Sequence, residues 1–142
     1  MPLNGFVSLF MNIFLVDTSS ICRDDRIMEI YKTLLSDIEK ERLERMSSAQ
    51  AKINFFFGRV LIRTSIARIL NCAAKDVILK ITSKGRLELE SELNPLSFNL
   101  SHSNNMIALA VSNKQIGVDI EFIKKRNFLA IAKYFFTTEE LS

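Results

Sequence analysis

The sequence has little of what marks a nucleic-acid binder, a secreted scaffold or a membrane span. Its 19 Lys and Arg against 16 Asp and Glu leave a net charge of only +3. That excess is too weak to argue for nucleic acid by itself, though it leans toward an acidic partner or a polyphosphate ligand. Only two cysteines occur, Cys22 and Cys72, far apart and without metal-like spacing or a secretory context. They read as reduced, packed thiols of a cytoplasmic protein. The one long apolar run, residues 5–16, is too short to span a bilayer. No Lys or Arg precedes it, so the basic start of a signal peptide is missing. Repeats and low-complexity tracts are absent. What is present is ordinary globular composition, 48% hydrophobic and 25% charged, which excludes disorder. A length of 142 residues fits one domain or two very small ones.

The periodicity predicts an α+β chain. Met11 to Asp17 reads as a buried strand running into the polar turn Thr18-Ser19-Ser20. Ile27, Ile30, Tyr31, Leu34 and Leu35 recur at helical spacing. Ser36-Asp37-Ile38-Glu39 has the form of a capping box and should start a second helix, to about residue 46. Residues 49–70 form the strongest helix, with Ile53, Phe56, Phe57, Val60, Leu61, Ala67 and Leu70 as a wide apolar stripe. Gly58 inside it costs about 1 kcal/mol against Ala and so points to a close packing contact. Beyond Asn71 the period becomes that of strands, over 77–82, 86–89, 96–102, 106–111 and 117–122. A turn at Ser83-Lys84-Gly85 separates the first two. A last helix is marked by Phe128, Ile131, Ala132 and Phe135, and a second capping-box pattern by residues 137–140.

Few residues here could carry chemistry. Asp119 and Glu121 are two apart on a predicted strand, so both leave one face while Val118, Ile120 and Phe122 take the other. Paired carboxylates repel unless a cation sits between them, and hard oxygen donors suit Mg²⁺. The plain alternative is the solvated face of an amphipathic strand. Glu139 and Glu140 follow Thr137-Thr138, where a carboxylate ordinarily caps a helix but is also held well enough to serve a metal. His102, the single histidine, lies between Ser101 and Ser103. A Ser-His-Asp hydrolase is excluded because adjacent strand residues point to opposite faces and no Gly-x-Ser-x-Gly elbow exists. The flanking hydroxyls suit phosphate binding by charge-assisted hydrogen bonds; a structurally satisfied histidine is the alternative. Lys52, Arg59 and Arg63 share one side of the long helix, with Arg42 and Arg45 before it, and read as solvated faces. No aromatic side chains interleave with them as a base-stacking platform.

Three motifs in order change the balance. Phe98-Asn99-Leu100-Ser101-His102-Ser103, then Gly117-Val118-Asp119-Ile120-Glu121, then Phe135-Phe136-Thr137-Thr138-Glu139 together resemble the 4′-phosphopantetheinyl transferases of the surfactin-synthetase-activating type. The run Phe56-Phe57-Gly58-Arg59-Val60-Leu61-Ile62-Arg63 and the upstream Glu39-x-x-Arg42-x-x-Arg45 are similar as well, so the resemblance covers Met11 to the last residue. It implies a pseudo-twofold fold of two α+β subdomains. Residues 1–10 would be an extension, 11–115 the first subdomain, and 116–142 the opening strand and helix of the second. It implies transfer of phosphopantetheine from coenzyme A to a serine of an acyl or peptidyl carrier protein in the cytoplasm, with neither nucleic acid nor membrane as partner. Asp119, Glu121 and Glu139 would hold Mg²⁺ and serve catalysis. Ser101 and His102 would contact the coenzyme A phosphates, Gly85-Arg86 would lie beside the nucleotide, and Arg42 would reach the 3′-phosphate. Arg86 and Leu87 depart from the family's Lys and Pro, Ala51-Lys52 from its Asp-Arg, and Asn54 from an Arg often found there. The family's next motif, a Trp followed by Lys-Glu-Ala, does not occur. The expectation is therefore an incomplete enzyme, inactive or impaired as it stands. The alternative is a non-catalytic module binding coenzyme A or a carrier protein.

Overall fold

In the computed structural model the described residues are 9–19, 21, 25–90, 96–124 and 137. The α+β class expected from the periodicity is what the chain adopts. Strand β1 (Met11–Asp17) is followed by helices α1 (Asp25–Lys32), α2 (Asp37–Arg45) and α3 (Ala49–Leu70). A short 3₁₀ turn then leads to β2 (Leu79–Ile81), β3 (Leu87–Leu89), β4 (Ser97–Ser103) and β5 (Met106–Ser112). Strands β1, β5 and β4 form an antiparallel sheet in that order, and β2 and β3 form a separate hairpin.

One face of the three-stranded sheet is apolar because its strands alternate. Phe14, Leu109 and Leu100 lie abreast in the register, as do Val16, Ile107 and His102. Helix α3 packs on this face through Ile62 and Ile66, both fully buried with Leu109 and Val111. The close contact implied by Gly58 is made with β4: a Cβ there would lie 2.8 Å from Leu100 Cδ2. Bringing α3 this near the sheet offsets the helix-propensity cost of glycine. Helix α2 begins as its sequence predicts. Glu39 N–H donates to Ser36 Oγ at 3.3 Å and Ser36 N–H to Glu39 Oε2 at 2.9 Å.

Several expectations are corrected. Among the described residues β1 is an edge strand, not a buried one: its Met11, Ile13 and Leu15, and Leu9 just before it, are each 56–63% exposed. Arg63 does not belong to a solvated stripe, since it is 4% exposed and ion-paired. Cys72 is exposed rather than packed, because the left-handed Asn71 (φ 53°) ends α3 and turns the chain outward; Cys22 lies outside the described residues. The strand expected over 77–82 is only three residues long. Residues 117–122 form no strand of the sheet. The helix expected from Phe128, and Glu139 and Glu140, lie outside the described residues. Among the described residues no helix is long and apolar enough to cross a membrane.

Candidate functional site

The helix α2, the first turns of α3, the β2–β3 hairpin and β4 enclose a cavity of about 430 Å³. Arg42, Arg59, Arg86 and His102 line it, with Asn54 and Phe55 between them. Three of the residues expected to meet phosphate, Arg42, Arg86 and His102, thus border one concavity although they come from three separate elements. Arg86 is carried there by the hairpin. Gly85 adopts φ +78°, which an L side chain rarely adopts, and its N–H donates to Thr82 O at 2.8 Å. The turn is closed by Thr82 N–H donating to Arg86 O at 2.8 Å.

The cationic wall is built around Glu39, whose carboxylate does more than cap α2. Arg63 approaches it with both terminal nitrogens, Nη1 to Oε1 at 3.3 Å and Nη2 to Oε2 at 2.8 Å. Arg59 Nε lies 2.9 Å from Oε1, yet the N–H is not aligned on an acceptor. That contact is therefore an ion pair without a hydrogen bond. Arg42 and Arg59 both sit against the Phe55 ring, 5.1 and 4.8 Å from its centroid, a cation–π arrangement. Burial pushes the Arg59 guanidinium below its ordinary pKa; Glu39 opposes the shift, while Arg42 and Arg63 add to it. One carboxylate thus serves two guanidiniums, Arg42 adds a charge with no ion pair among the described residues, and Arg86 is only loosely paired, with Glu88 Oε1 at 3.8 Å. An anion entering the cavity would relieve that excess.

His102 is held from the helix side. Asn54, 5% exposed, places its Nδ2 3.1 Å from Asn104 O and 3.4 Å from His102 Nδ1, and accepts from Gln50 Nε2 at 3.0 Å. An amide donor at Nδ1 requires the tautomer protonated at Nε2, which leaves an N–H to donate elsewhere.

Ser101 does not line this cavity. As adjacent strand residues must, it faces away from His102, and its hydroxyl donates to Asp119 Oδ1 at 2.8 Å. Asp119 and Glu121 are exposed, and neither forms an ion pair with Lys or Arg among the described residues. No cluster of three or more His, Cys, Asp or Glu occurs among the described residues. An open groove of about 500 Å³ shares Arg86 and Asn99 with the cavity and extends to Gln115, Ile116 and Gly117. It joins the cationic wall to the start of the acidic segment. Phe55 was not singled out by the sequence, and Asn54 stood out only as a departure from the family's Arg. Arg59, expected on a solvated face, is instead largely buried and ion-paired with Glu39; the Arg59–Arg63 spacing of one helical turn, with Glu39 in a capping box, was the available signal.

The family model described as "4′-phosphopantetheinyl transferase, N-terminal" matches residues 24–115. A putative 4′-phosphopantetheinyl transferase of Synechocystis is 33% identical over 125 residues, 85% of this chain and 51% of the relative. The 4′-phosphopantetheinyl transferase Sfp of Bacillus subtilis is 29% identical over 114 residues, 80% of this chain and 50% of Sfp. The chain spans about half the length of these relatives. Among solved structures, the holo-(acyl-carrier-protein) synthase of Helicobacter pylori, in complex with coenzyme A, shares the fold. Its TM-score is 0.52 at 16% identity, over 72% of this chain and 97% of that one.

Proposed function

The chain belongs to the 4′-phosphopantetheinyl transferase family, and from that premise we propose that its cationic cavity holds the phosphates of coenzyme A for transfer of the phosphopantetheine arm to a serine of an acyl or peptidyl carrier protein. The observation that carries this reading is the convergence of Arg42, Arg59, Arg86 and His102 on one cavity. Arg42 and Arg86 would bind phosphate oxygens, Arg42 at the 3′-phosphate, and His102 would donate from Nε2. Gly85 would let the hairpin turn approach the nucleotide closely. The groove toward Gly117 gives an elongated ligand a course from the cations to the acidic segment.

The donor set of that segment fits a divalent cation. Asp119 and Glu121 supply hard oxygen atoms that no Lys or Arg neutralises among the described residues. We assign Asp119, Glu121 and Glu139 as Mg²⁺ ligands; Glu139 lies outside the described residues. A bound Mg²⁺ supplies charge neutralisation at the pyrophosphate. The chain's own part is to hold both ends of the ligand, so that the carrier serine oxygen attacks phosphorus in line as the bond to adenosine 3′,5′-bisphosphate breaks. The test is to incubate the protein with coenzyme A, Mg²⁺ and an apo carrier protein and weigh the carrier. A gain of the phosphopantetheine mass that Asp119→Ala abolishes supports transfer. An unchanged carrier beside a protein that binds coenzyme A reduces the chain to a binding module.

A further inference from the structure

The segment that carries Asp119 and Glu121 is held by side chains rather than by a backbone ladder. Val118 N–H donates to Asn99 Oδ1 at 3.0 Å, Ile120 N–H to Ser101 Oγ at 3.2 Å, and Phe122 N–H to Ser103 Oγ at 3.0 Å. Each bond spans the same 19 residues, so the segment runs parallel to β4 and in step with it. Asn99, Ser101 and Ser103 leave one face of β4, spaced by the two-residue repeat of a strand, and that repeat matches every second amide of an extended chain. The three rungs are not equivalent. Ser101 alone also donates its hydroxyl proton, to Asp119 Oδ1 at 2.8 Å. Its Oγ therefore fixes the backbone at Ile120 and the carboxylate beside it at once, and leaves Asp119 Oδ2 available.

We propose that Ser101 is a positioning residue for Asp119: its hydroxyl aims the carboxylate at a divalent cation, while Asn99 and Ser103 only dock the segment. This rests on the assignment of Asp119 and Glu121 as metal ligands, and it replaces a direct phosphate contact for Ser101. A carboxylate on an exposed segment otherwise samples several rotamers, and each must be given up on binding a metal. Hydrogen bonds that orient metal ligands are worth about 10–100-fold in metal affinity.

The full chain with coenzyme A is titrated with Mn²⁺ and bound metal is read by electron paramagnetic resonance, for wild type, Ser101→Ala, Ser101→Thr and Ser103→Ala. Circular dichroism melts report folding alongside. Ser101→Ala is expected to weaken Mn²⁺ binding by about tenfold or more, Ser101→Thr to restore it, and Ser103→Ala to change it by less than about threefold. Equal losses in Ser101→Ala and Ser103→Ala would leave Ser101 a docking rung only and overturn the proposal. So would wild-type affinity in Ser101→Ala. A wild-type protein that binds coenzyme A but no Mn²⁺ would overturn the metal assignment itself, a result distinct from either.

Discussion

Glu39 is where stability and site meet in a single residue. It is 9% exposed, caps α2 and faces two guanidiniums. Removing one partner of a buried ion pair strands the other, which costs about 3–5 kcal/mol. Glu39→Ala should lower the unfolding free energy by about that much in urea titration, and Glu39→Gln by less, since the amide keeps the cap. The sequence disclosed the cap but not the ion pairs. A capping box is local, readable from residues three apart, whereas the partners of Glu39 are 20 and 24 positions away and meet it only because α2 packs on α3. The same distance hid Phe55: it reads as an ordinary helix residue until Arg42 and Arg59 are placed against it.

Among elements, α3 and β4 set the geometry of the site. Gly58→Ala gains about 1 kcal/mol of helix propensity, but its methyl meets Leu100, whose side chain packs against both core clusters. Overpacking of that kind costs about 1–3 kcal/mol, so a net loss of up to about 2 kcal/mol is expected in chemical denaturation. Weakened coenzyme A binding should accompany it, because β4 carries His102 into the cavity. The long helix, the capped helix, the hairpin turn and the strand pair around Asn104 were all legible, since each has strong periodicity or turn chemistry. The segment after Gly117 was not. Its alternation of Val118, Ile120 and Phe122 with Asp119 and Glu121 has a strand's period, but β4 offers it Asn and Ser side chains in place of a backbone ladder. Nor was the exposure of β1 legible, because an edge strand and a central one share the same apolar composition.

At the scale of the molecule, the edge strand β1 presents apolar side chains to solvent among the described residues. Met11, Ile13 and Leu15 of β1, with Leu9 before it, stand exposed. β1 has no partner on its outer side among the described residues, and an exposed apolar patch on an edge strand favours association. Sedimentation should show concentration-dependent self-association, which Ile13→Lys reduces without loss of helicity. At the other end of the sheet order, β4 borders the cationic cavity, and the account as a whole depends on what enters it. The most direct measurement is calorimetric titration of the full chain with coenzyme A and with 3′-dephospho-coenzyme A, for wild type, Arg42→Ala and His102→Ala. The account predicts that wild type binds coenzyme A and that each variant weakens it about tenfold or more, the worth of a charge-assisted hydrogen bond. It also predicts that Arg42→Ala leaves the 3′-dephospho ligand nearly unaffected. A wild-type chain with no affinity for coenzyme A, or variants that bind it as wild type does, would contradict it.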